Sequence, residues 1–263
     1  MIDHFAHGWW TPALAYALSV VGSFIGLRFA RLARDSPARW RWLAMSSVCL
    51  GGTAIWSMHF VAMLGFQVEG SPIRYDTGLT VASGIVAIAV MGVALTLATV
   101  RGTTPWLLAS GAIAGAGVVG MHYMGMASMN VHGHLHHDPV YVGIASVIAV
   151  TAATAALWFA LNLRRTSASL LAALLMGVAV SAMHYTGMFG MSFTAADGDL
   201  TAPLPGADSS ELVLPLVTGM FVFLTVCSLF LLLNVGDEKR PAAEPQPEAP
   251  EAPEPGNFTP RRR

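Results

Sequence analysis

The chain carries very little charge. Of its 263 residues only 11% are Asp, Glu, Lys or Arg, less than half the roughly 25% of an ordinary soluble domain, whereas 54% are hydrophobic. This shortage excludes a water-soluble globular fold and places the chain in the membrane class. Cysteine is also scarce: Cys49 and Cys227 are too few for a disulfide framework. Both lie in apolar runs, where a free thiol behaves as a small buried group. No basic patch interleaved with aromatics is present, so nucleic acid is not an expected partner. The apolar runs hold no carboxylates, and no Ser, His and Asp set emerges from spacing, so enzymatic activity is not expected. The first residues, Met1-Ile2-Asp3-His4, lack the basic region of a secretory signal, which predicts that the first apolar run is retained.

What the chain has is long apolar runs. Seven are long enough to cross about 30 Å as helix, from about Trp9 to Phe29, Trp42 to Phe66, Thr77 to Val100, Pro105 to Asn130, Val140 to Leu163, Ser167 to Phe193 and Leu212 to Asn234. The expected fold is an all-α membrane protein of seven transmembrane helices. Arg28, Arg31, Arg34, Arg39 and Arg41 follow the first run, Arg101 the third, Arg164 and Arg165 the fifth, and Lys239 and Arg240 the seventh, against Arg74 on the other side. The positive-inside rule then puts the N-terminus outside and the C-terminus in the cytoplasm. Trp9 and Trp10 at one end, and Trp40, Trp42 and Trp106 at the other, suit interfacial belts. Residues 1–234 form the membrane domain in this reading. Residues 235–263, rich in Pro, Glu and Ala, form a cytoplasmic tail too poor in apolar surface to fold.

One short pattern occurs three times, as Met58-His59-Phe60-Val61-Ala62-Met63, Met121-His122-Tyr123-Met124-Gly125-Met126 and Met183-His184-Tyr185-Thr186-Gly187-Met188. Recurrence about every 62 to 63 positions marks an internal repeat. The unit is a helix pair, used three times with a seventh helix added. All three histidines fall in even-numbered spans at comparable depth, about 12 to 15 Å from the outer end at helical rise. Repeats of like orientation are related by an axis along the membrane normal, which would gather helices two, four and six around one centre. On helix four, Gly111, Ala112, Gly115 and Ala116 give the small-residue spacing of close packing in lipid, with Gly117, Gly120 and Gly125 beyond.

Residues four apart share a helix face, so His59 with Met63, His122 with Met126 and His184 with Met188 form imidazole and thioether pairs. Met129 and Met191, at His plus seven, continue the stripe in copies two and three, where the first copy has Phe66. Met58, Met121 and Met183 flank it. Thioether sulfur is a soft ligand, and together with imidazole it suits copper, particularly Cu(I); zinc prefers ligands absent from the stripe. Packing alone would account for one such copy, but it gives no reason to keep three costly polar groups in hydrocarbon. Between helices four and five, an expected outer loop carries His132, His134, His136 and His137, a tract able to capture metal. His4 and His7 lie on the same side.

The three motif copies resemble the signature of the MHYT domain, an integral membrane sensor module of bacteria, over roughly residues 9 to 234. The resemblance implies a multi-pass protein of the bacterial inner membrane. It also implies copper held by motif Met and His residues near the outer face, and sensing of a diatomic gas such as oxygen, CO or NO. Many members carry cyclic-di-GMP enzymes or a kinase after this module, so this chain would act through a separate signalling partner or the surrounding lipid. Phe60 and Val61 stand where the motif has Tyr and Thr, which removes any need for a phenol at that copy and leaves Tyr123 and Tyr185 outside the ligand set. Two other readings fit the residues: copper transport or delivery, and a haem-binding redox protein with paired histidines on iron.

Overall fold

A computed structural model describes residues 2–196 and 202–237. Seven helices and three small strand pairs make up the described chain. Helix α1 is Trp10–Asp35. Helix α2 runs through three consecutive segments, Arg39–Ser47, the π-helical Val48–Ser57 and Met58–Met63. The remaining helices are α3 (Thr77–Arg101), α4 (Thr104–Ala127), α5 (Pro139–Asn162), α6 (Thr166–Phe189) and α7 (Ser209–Asp237). The six unsegmented helices, α1 and α3 to α7, are each long and apolar enough to cross a membrane. Residues 238–263, and with them nearly all of the expected tail, lie outside the described residues.

Local chemistry sets the helix ends. Asp76 caps α3 by accepting from the Leu79 N–H at 2.8 Å, and Asp138 caps α5 by accepting from Val140 N–H at 2.7 Å, the usual use of a short carboxylate ahead of a first turn. Pro105 and Pro139 occupy first turns, where no N–H is needed. Helix α3 stops at Gly102, whose φ of 60° is left-handed.

Each helix from α1 to α6 packs on its neighbour in sequence, and α6 returns to α1, so six helices close a ring. Small residues permit the tight contacts: a Cβ on Gly115 would lie 2.6 Å from the Val150 Cα on α5. At one end arginines tie the ring. Arg28 donates to Thr166 Oγ1 at 2.9 Å, Arg31 to Ser169 Oγ at 2.5 Å, and Arg34 to the carbonyls of Leu161 and Leu163. These last are carbonyls that a helix C-terminus leaves unpaired. Arg39 and Arg101 lie over the rings of Trp40 and Trp106 at 4.9 and 4.7 Å.

Helix α7 lies outside the ring. Up to Cys227 it exposes Leu214, Phe221, Val222 and Val226, and it meets the π-helical part of α2 where Thr53 donates to Met220 sulfur at 3.8 Å. From Ser228 the chain forms a separate compact unit whose described part is the end of this helix.

The end of the ring opposite the arginines carries all the strands. Three antiparallel pairs link the N-terminal segment to the successive loops: β1 (Ile2–Asp3) with β2 (Gln67–Val68), β3 (Arg74–Tyr75) with β4 (Met129–Asn130), and β5 (Gly133–His137) with β6 (Met191–Ala195). This cap corrects three sequence expectations. The fourth and sixth helices stop at Ala127 and Phe189 rather than at Asn130 and Phe193: Ser128 ends the fourth by turning its hydroxyl onto the Gly125 carbonyl at 2.6 Å, Gly190 caps the sixth, and in each the chain then enters a strand. Of the tract expected as an outer loop, His134, His136 and His137 lie in a paired strand, with His132 just before it. The motif histidines accordingly sit only four or five residues from their helix ends, about 6 to 8 Å at helical rise, closer than the expected 12 to 15 Å.

Candidate metal centre

Helices α2, α4 and α6 bring His59, His122 and His184 together inside the ring, each about 1% exposed. His59 Nδ1 lies 3.0 Å from His184 Nδ1 and 3.2 Å from His122 Nδ1. The rings meet edge to face, with centroids 4.9, 4.9 and 5.2 Å apart. The local geometry repeats as well: each imidazole stands edge-on to the next residue of its copy, Phe60, Tyr123 or Tyr185, at a centroid distance of 4.9 Å.

Three buried imidazoles at this spacing pose an electrostatic problem that a cation solves. Each Nδ1 to Nδ1 contact needs one proton between two lone pairs, which an ion among the Nδ1 atoms would replace; the Nε2 atoms of His59 and His122 have no hydrogen-bond partner and would carry the ring protons in either case. Orphaned buried nitrogen is costly. Three imidazole nitrogens bound to one ion at about 2.0–2.1 Å would stand about 3.3–3.6 Å apart, the lower end for tetrahedral and the upper for trigonal arrangement. The two spacings at His59 are a few tenths of an ångström shorter, and a ligand nitrogen of each histidine lies within 4.8 Å of the others, so the residues present fit one metal ion. Among the described residues, this is the one cluster of three or more His, Cys, Asp or Glu with ligand atoms within 4.8 Å of one another.

Two glycines that sequence reasoning assigned to packing, or passed over, make the arrangement possible. Side chains at Gly125 and Gly187 would run into the Nε2 atoms of His59 and His122. In each case the glycine three residues after one motif histidine seats the histidine of the preceding copy. Their recurrence at the same motif position was the available signal.

A second repeat lies one layer toward the cap. The aromatic after each histidine packs on a ring from the segment that precedes an odd-numbered helix: Phe60 on Tyr75, Tyr123 on His137 and Tyr185 on Phe5, with centroids 6.1, 5.2 and 5.7 Å apart. The third contact closes the cycle through the N-terminus. Burial in the cap pushes the Tyr75 phenol up and the His4 and His137 imidazoles down; Asp3 opposes the effect at His4, and His136 adds to it at His137.

Met58, Met63, Met121, Met126, Met129, Met183, Met188 and Met191 are buried, whereas Met124 is half-buried, and they occupy different surroundings. Met63, Met126 and Met188 lie one turn past the histidines on the same helices. Met58, Met121 and Met183 precede them, and Met183 lines an apolar cavity of about 30 Å³. Met129 and Met191 are not on the helical stripe: the helices have ended, and these residues stand in β4 and β6. The cavity lies one turn toward the arginine end, walled by Ile55, Val118 and Val180, each four residues before a motif histidine. On the cap side a polar cavity of about 220 Å³, lined by His7, Gln67, Ser71 and Tyr75, reaches Met63.

The structure separates the four histidines of the tract. His132 Nε2 pairs with the Ala202 carbonyl at 2.8 Å, His137 lies against Tyr123, and His134 and His136 are exposed.

A ring of apolar helices around a buried three-histidine cluster defines a multi-pass membrane protein with a candidate metal centre. Residues 52–111 and 115–173 match the family model described as the bacterial signalling protein N terminal repeat, MHYT. The chain is 35% identical over 237 residues to the bifunctional diguanylate cyclase/cyclic di-GMP phosphodiesterase MucR of Pseudomonas aeruginosa, covering 86% of this chain and 33% of that protein. It is 34% identical over 212 residues to the cyclic di-GMP phosphodiesterase NbdA of the same organism, covering 76% and 26%. With the signaling protein YkoW of Bacillus subtilis it shares 29% identity, over 58% of this chain and 20% of that protein. The chain spans a third or less of the length of these curated relatives. No solved structure matches. The chain belongs to the MHYT family of bacterial signalling proteins and is a multi-pass protein of the bacterial inner membrane.

Proposed function

We propose that the chain is a membrane sensor, without catalytic activity of its own, that binds copper at His59, His122 and His184 and reports a diatomic gas or redox change there. The observation that carries this reading is the convergence of three buried histidines, with His59 Nδ1 at 3.0 and 3.2 Å from the Nδ1 atoms of His184 and His122 and a ligand nitrogen of each within 4.8 Å of the others. Imidazoles with thioethers close by on the same helices favour copper over harder cations, and Met63, Met126 and Met188 are the proposed additional ligands. Met58, Met121 and Met183 are proposed to flank them, with Met129 and Met191 reached from the cap. Copper, when bound, would supply reversible binding of, or redox exchange with, a small ligand such as oxygen, CO or NO.

The protein's own residues do the rest. The histidines present lone pairs, the glycines seat the rings, and the apolar surroundings exclude water. The 30 Å³ cavity one turn away exceeds the roughly 10–15 Å³ that a single water needs and is walled by aliphatic side chains, which suits an uncharged diatomic molecule. The polar cavity beside Met63 gives an ion a way in from the cap. All seven helices are proposed to cross the bilayer, with the arginine end cytoplasmic by the positive-inside rule and the cap outside. The signal would then pass to a separate partner or to the lipid as a change in helix packing, which requires a ligand that prefers one packing over another.

A haem centre is less well supported, since the close contact of the three rings leaves room for an ion but none for a porphyrin. Transport is not favoured by any second ligand set of comparable size along the ring toward the arginine end among the described residues. Copper analysis of purified protein after Cu(I) loading tests the proposal. The expected result is about one copper per chain, lost when all three histidines become alanine; absence of copper from the parent, or its full retention in the triple variant, would overturn it.

A further inference from the structure

Beyond the buried centre, β5 carries a second arrangement suited to metal. Successive side chains on a strand point to opposite faces, and alternate ones stand about 7 Å apart along it. In Gly133–His137 this places His134 and His136 on one face, and both are exposed. The opposite face carries Leu135 and His137, which pack inward, Leu135 on the hydrophobic core and His137 on Tyr123. The strand is therefore held by its underside and by a five-residue ladder with β6, in which His134 faces Thr194 and His136 faces Ser192. His132, just before the strand, is engaged with the Ala202 carbonyl.

We infer that His134 and His136 form a surface site for a borderline divalent cation, Cu(II) in preference to Zn(II) or Ni(II), independent of the buried centre. Two imidazoles on one face of a fixed strand can turn their ring nitrogens to a common ion lying above the sheet. Neutral imidazole suits these three metals, and the divalent affinity order places copper first. Because β5 is already paired and anchored, binding orders only two side chains, where a free histidine-rich loop would have to order its backbone as well. Water completes the coordination, with the Ser192 and Thr194 hydroxyls across the ladder.

The test uses the full chain in detergent, titrated with Cu(II) by calorimetry and followed by EPR. Replacing both residues, His134→Gln with His136→Gln, is expected to remove one equivalent of Cu(II) together with a signal split by two nitrogens. His132→Gln is expected to leave that equivalent in place. The triple alanine variant of His59, His122 and His184 is expected to retain it too, so failure here is distinct from failure of the buried-centre reading. Ser192→His provides a gain-of-binding arm, since it sets a third imidazole directly across from His136 and should tighten Cu(II) by about tenfold or more. Unchanged Cu(II) stoichiometry and spectrum in the double glutamine variant, or loss of the equivalent in the triple alanine variant, would overturn the inference.

Discussion

His122 Nε2 sits where a side chain on Gly187 would begin: a Cβ there would lie 2.5 Å from it. Gly125 stands in the same relation to His59. The two contacts join copy one to copy two and copy two to copy three, so the spacing of the histidines depends on the absence of two methyl groups. Gly187→Ala and Gly125→Ala should each push an imidazole away from the centre. Overpacking of this kind costs about 1–3 kcal/mol, visible as a lowered thermal midpoint, and the metal content after loading should fall as well. A variant that keeps both its midpoint and its metal would show that the rings have more freedom than this packing allows.

The free thiols of Cys49, on the π-helical stretch of α2, and Cys227, on α7, are both buried, at 0% and 3% exposure, and we expect them to face each other where the two helices meet. Diamide should join them, the two thiols giving up two protons and two electrons while diamide is reduced to the hydrazine. Peptide mass spectrometry should find the linked pair in the oxidised parent and in neither Cys49→Ser nor Cys227→Ser. Failure to form this intramolecular link in membranes would place α7 elsewhere on the ring.

Much of this architecture was legible in the sequence because helix formation in lipid depends on apolar length, and the length of each run is written in the residues. The gathering of His59, His122 and His184 was legible for a related reason: three copies at one depth on alternate helices can meet about an axis. The cap was not. Arg74-Tyr75 and Met129-Asn130 become strands only because the loops lie side by side, a consequence of ring closure that no local pattern announces. Met129 and Met191 were misplaced for the same reason, since Ser128 and Gly190 end their helices before the apolar composition does. The glycines at His plus three were visible, but their role appears only once the neighbouring helix supplies an imidazole to fill the space.

Arg34 donates to the carbonyls of Leu161 and Leu163 at the end of α5 and so closes the ring opposite the centre. Arg34→Ala should leave these partly buried carbonyls without their guanidinium donor, at a cost of about 1 kcal/mol. Arg34→Lys should recover only part of this, because one ammonium cannot reproduce the planar fork that spans two acceptors. Thermal unfolding of the three proteins in the same detergent provides the ranking: parent, lysine, alanine. An alanine variant as stable as the parent would mean that the carbonyls find other donors.

Acid should loosen the cap before it unfolds the ring. Burial holds the His4 and His137 imidazoles below the ordinary histidine value, so the folded cap keeps them neutral at a pH where the unfolded chain would already bind protons. Between the folded values and about 6.5, the unfolded state takes up more protons, and stability falls as pH falls. The contribution is fully present above about pH 6.5 and is lost on acidification through the depressed folded values. Hydrogen exchange of the β1–β2 and β5–β6 amides, measured from neutral to mildly acidic pH and corrected for intrinsic rates, should show protection decreasing in that window. His137→Gln should flatten the response at β5–β6 while leaving β1–β2, next to His4, sensitive. An unaltered slope at β5–β6 in that variant would assign the acid response to other groups in the cap.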